Sequence, residues 1–302
     1  MRIATFNLQN LRLRHSGGKD RLDGARDGDM PEDPVLDPVD RKLTASVIRN
    51  LRADVLALQE VFDAGTLAYF HDEVLLSAGV APYPFRFCLP GNDGRGLDVA
   101  LMSRVPPRRV TSHAALRAGD LGLAADGAGD QPVFRRDCLA AEVGPLTLFV
   151  CHFKAPWPDA AASWPVRRCE AEAVRRIVES RFDDPAEALW LVAGDLNDPD
   201  PPGAPGRAIA PLEPPFTVDL VARMPFEERW SIHDPQSGRR FMPDALLASP
   251  RLGRDWPEAV PVVLREGLSR EAGPGPRLAQ VGEHRPHASD HAALVVEFPG
   301  LA

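Results

Sequence analysis

Side chains able to handle a phosphate and a divalent cation stand at the ends of apolar runs along this sequence. The most informative run, residues 189–193, holds Trp190 and Val192 and reads as a buried strand. It stops at Gly194-Asp195-Leu196-Asn197 and enters a Pro-rich stretch. Asp195 and Asn197 are two positions apart, so both can point to one side of the strand end. A carboxylate beside a carboxamide suits a metal–phosphate site, the first holding charge and the second donating to an anionic oxygen. In open α/β sheets, ligands collect where strands end.

The pattern recurs. An apolar run from residue 3 ends in Asn7, and residues 55–58 end in Gln59-Glu60. Residues 146–151 end in His152-Phe153-Lys154, and the last apolar run follows Ser289-Asp290-His291. Asp244 lies inside Pro243-Asp244-Ala245-Leu246-Leu247, where an unpaired carboxylate would be costly. The glycines of loop 90–96 bring backbone close to a ligand, and Asn92 and Arg95 there are candidate substrate contacts. Lys154 is a candidate phosphate contact. The spacing His284-His287-His291 has no evident fourth ligand and is not read as a zinc site.

These residues need a scaffold that brings strand ends together. Strands are expected at 2–9, 55–58, 85–89, 97–103, 134–143, 146–154, 189–197, 230–233, 241–249, 259–264 and 292–298. Helices are expected after Asp40, which or a neighbour of which could cap the first, and at 67–78, 163–182 and 217–224. Residues 14–40, 117–132, 198–215 and 267–286 read as loops. Many hairpins with few helices suggest two sheets packed face to face with helices outside. Arg167-Arg168 and Arg175-Arg176 read as the solvated face of the third helix. Trp157, Trp164 and Trp230 read as core or loop packing, with stacking on a substrate rim as the alternative.

Of 302 residues 44% are hydrophobic and the net charge is −8, which argues against a broad DNA-wrapping or anionic-membrane surface. It does not exclude a nuclease that grips phosphate through a metal and a few local cations. Cys88, Cys138, Cys151 and Cys169 have no zinc-finger spacing and read as free thiols of a reduced, cytoplasmic compartment. No stretch reaches membrane-spanning length.

In order, Asn7, Glu60, His152, Asp195, Asn197, Asp244, Asp290 and His291 resemble the endonuclease/exonuclease/phosphatase superfamily of deoxyribonucleases, AP endonucleases and related phosphatases, most of all its bacterial nuclease-like members. The carrying segments are Thr5-Phe6-Asn7, Leu58-Gln59-Glu60-Val61, His152-Phe153-Lys154, Gly194-Asp195-Leu196-Asn197, Pro243-Asp244-Ala245-Leu246-Leu247 and Ser289-Asp290-His291. The resemblance implies one domain over 1–302 with the α/β four-layer sandwich of deoxyribonuclease I: two packed, mostly antiparallel or mixed sheets flanked by helices. It implies a phosphodiester hydrolase dependent on Mg2+ or Mn2+, most simply an endo- or exonuclease acting by in-line attack of water. Glu60, with Asn7 and Asp290, would hold the metal; Asp195 would orient or deprotonate the water; His291, held by Asp244, would assist; and Asn197 and His152 would donate to the phosphate. The implied partner is nucleic acid or a small phosphodiester or phosphomonoester, with no membrane and no obligate protein partner. The alternatives are a phosphatase or phosphodiesterase for a small or lipid-derived phosphate, and a non-catalytic binding scaffold. Ala245 and Leu196 stand where many members carry aromatic residues.

Overall fold

Two six-stranded sheets face each other in the computed structural model, which describes residues 1–16, 18–27, 32–123, 130–199 and 206–301. The first sheet runs Val262–Leu264, Ala293–Glu297, Arg2–Leu11, Val55–Val61, Asp98–Ser103, Phe85–Cys88. The second runs Val218–Asp219, Asp244–Ala248, Trp190–Asp195, Leu146–His152, Cys138–Val143, Pro107–Thr111. Each contains one parallel pair joined by a helix. Asp37–Leu51 links Arg2–Leu11 to Val55–Val61, and Ala160–Arg181 links Leu146–His152 to Trp190–Asp195. Every other pairing within these sheets is antiparallel.

Strand alternation generates three apolar layers. Ile3, Val55, Ala57, Leu148, Val150, Leu191 and Ala193 meet between the sheets. Their neighbours Ala4, Phe6, Leu56 and Leu58 turn outward onto Leu43, Val47, Ile48 and Leu51 of the first helix. On the far side Phe149, Cys151, Trp190 and Val192 pack on Val174, Ile177 and Val178. The result is helix, sheet, sheet, helix, the expected four layers. The long helix starts at a stronger signal than the apolar stripe alone gave: Asp159 accepts from the N–H groups of Ala161 and Ala162 at 2.9 and 3.1 Å.

Several expected elements differ. Within 14–40, Leu13–Ser16 pairs with Lys19–Leu22 as a hairpin, and the helix begins at Asp37. Asp40 does not cap it. Its buried carboxylate accepts from Arg285 and from the backbone of Ala25 and His287. The helix expected at 67–78 is Ala64–Tyr69 followed by a wide π turn, Phe70–Leu75. Where a helix was expected at 217–224, Val218–Asp219 pairs with Ala248 and Leu247 before a 3-10 turn. The expected hairpin of 230–249 divides: Ile232–His233 pairs with Arg240–Phe241, while Asp244–Ala248 joins the second sheet. The strand Pro107–Thr111 was not anticipated. Residues 124–129 and 200–205 of two expected loops lie outside the described residues, as do 28–31. Cys88, Cys138 and Cys151 are buried and Cys169 half-buried, all free thiols. Among the described residues no helix is long and apolar enough to cross a membrane.

Candidate active site

The alternation that builds the middle layer also aims the polar residues. Asn7 follows Ile3 and Thr5 on the inter-sheet face of its strand, and His152 follows Leu148 and Val150. Asp195 follows Leu191 and Ala193, and Asp244 precedes Leu246 and Ala248. Each stands at a strand end, so the side chains meet at one rim of the sandwich. Register fixes the second-sheet group, with Asp195 opposite both His152 and Asp244. Asn7 joins the sheets. Its amide donates to Glu60 Oε1 at 3.3 Å and to Asp195 Oδ2 at 3.2 Å.

Glu60 would point away if its strand were regular. A register shift between Gln59 and Val61 matches one between Asn7 and Leu11, and Glu60 has φ 63°. Gln9, Asn10 and Asn197 share this left-handed backbone, so four of the five described non-glycine residues with positive φ lie at this rim. Such conformations cost free energy and persist where surroundings over-determine them. Here the surroundings are polar. The Asn10 N–H donates to Glu60 Oε2 at 2.8 Å. Buried Arg41 donates to the carbonyls of Leu8 and Gln9 at 2.6 and 2.8 Å, and to those of Asp23 and Gly24. Burial lowers the Arg41 pKa to about 10, with Asp40, Asp23 and Asp37 opposing the shift.

Asp195 Oδ2 lies between two imidazoles, 3.6 Å from His152 Nε2 and 3.7 Å from His291 Nε2. His291 Nδ1 is 2.8 Å from Asp244 Oδ2, which also accepts from Ser231 Oγ at 2.5 Å. Burial alone would lower the His291 pKa, but Asp244, Asp290 and Asp195 override it and hold the ring cationic well above its usual range. For His152, burial and the charges of Arg136, His291 and Arg95 all push downward, so this ring stays neutral. Two histidines facing one carboxylate therefore carry opposite protonation, the division of labour expected where acid–base chemistry is arranged. Burial raises Asp195 and Asp290 to about 6 and also raises Glu60, and neighbouring carboxylates add to each.

Asn197 donates its amide to the Phe153 carbonyl at 3.1 Å, and its backbone N–H donates to Asp195 Oδ1 at 2.9 Å. The Asp290 backbone N–H donates to Gln9 Oε1 at 3.0 Å. Thus Asn7, Glu60, His152, Asp195, Asn197, Asp244, Asp290 and His291 share one rim. Two other candidates are turned elsewhere. Lys154 donates to the Ala155 and Trp157 carbonyls, and Asn92 to those of Ala114 and Phe134. Arg95 is paired with Asp93, and its charge reaches His152. His284, His287 and His291 face Glu271, Gln9 and Asp244 respectively rather than one point. Arg167 is buried, not solvated, and donates to the Lys154 carbonyl at 3.1 Å. Trp230 packs inside, Trp164 binds the Gly206 carbonyl, and Trp157 is exposed.

The supporting residues had no motif to reveal them. Ser289 Oγ ties the last segment to the Asn7 carbonyl at 2.7 Å. Glu170, buried on the long helix, accepts from the N–H groups of Arg135 and Lys154 at 3.1 and 2.7 Å and so braces the His152 strand end. Burial raises its pKa to about 7, against those two hydrogen bonds and the nearby arginines. A carboxyl whose folded pKa exceeds its unfolded value contributes stability below the unfolded pKa and loses it as pH rises through the folded one. Stability should therefore fall between about pH 4.5 and 7 through this group, and urea unfolding of Glu170→Gln should show a shallower decline over that window. An identical pH slope in both proteins would contradict the assignment.

The comparisons agree with this architecture. A zebrafish (D. rerio) TDP2 humanized by 14 mutations superimposes with TM-score 0.60 at 16% identity, covering 98% of this chain and 97% of that one. An AP endonuclease from Archaeoglobus fulgidus does so with TM-score 0.58 at 13% identity, covering 99% of each chain. A beta toxin from Staphylococcus aureus gives TM-score 0.56 at 16% identity, over 98% and 99%. At such identities the likeness speaks for the fold alone. No curated protein matches the sequence. The Endonuclease/Exonuclease/phosphatase family matches residues 4–291, which takes in every residue of the rim, and the chain belongs to that family.

Proposed function

We propose that this protein hydrolyses phosphodiesters with a divalent cation, Mg2+ or Mn2+, by in-line attack of water. The observation that carries the reading is Asp195 held between a neutral and a cationic histidine, and tied through Asn7 to Glu60 of the other sheet. The donor set suits a hard cation. Buried Asp195 and half-buried Glu60 and Asp290 are oxygen donors that raise one another's pKa, which a positive ion would relieve. Among the described residues no three His, Cys, Asp or Glu side chains form a chelating group. The ion would be held by Glu60, with Asn7 and Asp290 beside it, and would keep several of its waters. When bound, it would neutralise phosphate oxygens and the leaving oxygen.

The chain's own groups do the rest. Asp195, with its pKa raised, accepts the proton of the attacking water. The His291 imidazolium, oriented by Asp244 and Ser231, donates from Nε2 to a phosphate oxygen as negative charge grows. His152 and the Asn197 amide are the further donors. The neutral His152 ring carries a single N–H, and it is Nε2 that faces Asp195 at 3.6 Å.

A panel of bis(p-nitrophenyl) phosphate, duplex and abasic DNA, RNA and inositol phosphates, assayed with Mg2+ and with EDTA, tests the reading. Hydrolysis that needs the metal is expected; turnover unaffected by EDTA, or none on any substrate, would overturn it. Mg2+ should also raise the melting temperature more at pH 7.5 than at pH 5. The crowded carboxylates are protonated at the lower pH and have less need of a cation. An equal shift at both pH values would speak against metal at this rim.

A further inference from the structure

Beside the carboxylates lies a cavity of about 930 Å³. It meets them at Asn10, whose N–H holds Glu60, and at Asp27, whose charge acts on Asp290. Four arginines, Arg12, Arg14, Arg26 and Arg95, line it against Asp23 and Asp27, in a chain of net charge −8.

Their pairings are unequal. Arg14 is bound by Asp23 at 2.8 and 3.1 Å, and Arg26 reaches Glu32 at 3.2 Å. Arg95 and Arg136 share the one carboxylate of Asp93, at 3.3 and 3.2 Å. Arg12 makes no ion pair among the described residues; its guanidinium lies 4.8 Å from the centre of the Phe62 ring. The loop carrying Arg95 is anchored by the Gly91 N–H on Asp98 at 3.0 Å. Trp157, 77% exposed, also lines the cavity. Guanidinium planes and indole rings both accept a stacked base.

We infer that the cavity is a second-anion subsite. Arg12 and Arg95 hold a second phosphate of the substrate, and Trp157 with the Phe62-backed Arg12 plane takes a flat ring. The chemistry is that of a nucleotide with a phosphate beyond the one being cut. A volume near the upper end of the ~300–1,000 Å³ typical of small-molecule sites suits a compact nucleotide or strand end. The flank of a duplex instead spreads its charge along an open surface. The identity of the scissile phosphate rests on the hydrolase reading above; the anion subsite itself does not.

The test compares thymidine dinucleotide with and without a 5′-phosphate, in Mg2+ and again in Mn2+. Wild-type protein is expected to favour the phosphorylated form about 10-fold in kcat/KM, and the Arg12→Gln/Arg95→Gln double variant to bring that ratio near one. An unchanged ratio overturns the inference. Inorganic pyrophosphate, titrated calorimetrically in EDTA, gives a readout independent of turnover. Its Kd is expected to rise about 10-fold in the double variant. No binding to wild type, or equal Kd in both, overturns the subsite. If neither dinucleotide is cleaved with either metal, the substrate panel above decides the hydrolase reading and the pyrophosphate titration decides this one. Should the double variant misfold, Arg12→Lys and Trp157→Ala replace it. Trp157→Ala is expected to cost ~5-fold in kcat/KM on the phosphorylated dinucleotide, since stacking is worth ~1–3 kcal/mol per base, and Arg12→Lys to weaken pyrophosphate binding ~3-fold by losing the planar fork. Wild-type values in both overturn the assignment.

Discussion

Replacing His291 by alanine is expected to lower kcat/KM on bis(p-nitrophenyl) phosphate about 10³-fold, with a lowered melting temperature but the fold kept. The ring is 7% exposed, and its Nδ1 is fixed by Asp244, so Nε2 is the nitrogen directed at Asp195 and the space beside it. Alanine removes both the positive charge and the positioned donor. Asp244→Asn is expected to cost less, about 10²-fold, because the ring remains but loses the carboxylate that keeps it cationic. Initial rates in Mg2+ with a thermal melt of each variant decide the matter. A His291→Ala enzyme within 10-fold of wild type would remove this residue from the chemistry.

Gly194→Ala is expected to destabilise the fold by about 4 kcal/mol, near the top of the range for one substitution. Gly194 has φ 150°, and a Cβ there would stand 1.9 Å from the Cys151 carbonyl oxygen. That oxygen belongs to the parallel neighbour, in register with Gly194, so no flexible side chain can move aside. The strand would have to separate from Leu146–His152 where His152 and Asp195 face each other. Urea unfolding measures the loss; a change under about 1 kcal/mol would mean the two strands part easily. The close approach also explains why a glycine precedes the central aspartate.

The sequence disclosed the rim better than what surrounds it. Asn7, His152, Asp195 and Asp244 could be read because each ends or opens a run whose alternation the apolar residues make visible. Glu60 reaches the rim for a reason alternation does not supply: a bulge turns it. The hairpin Leu13–Leu22 escaped because its residues are charged and half-exposed, with no apolar period to betray a strand. Arg167 and Asp40 were misread for a shared cause. Each is a charged residue on a helix, normally solvated, yet each is buried to hold backbone groups of another segment. Lys154 and Asn92 looked like ligand contacts by type, but neighbouring carbonyls claim them. Such long-range polar bracing leaves no local signature.

The strand Arg2–Leu11 lies inside its sheet, between Val55–Val61 and Ala293–Glu297. During synthesis it leaves the ribosome long before Ala293–Glu297, so one of its edges has no partner until almost three hundred further residues have been made. At ~5–20 residues per second that is a wait of roughly 15–60 s. Through that interval an apolar strand with an open edge is a template for wrong pairing. A nascent chain arrested before residue 293 should therefore be protease-sensitive and dependent on chaperones, even with the entire second sheet already translated.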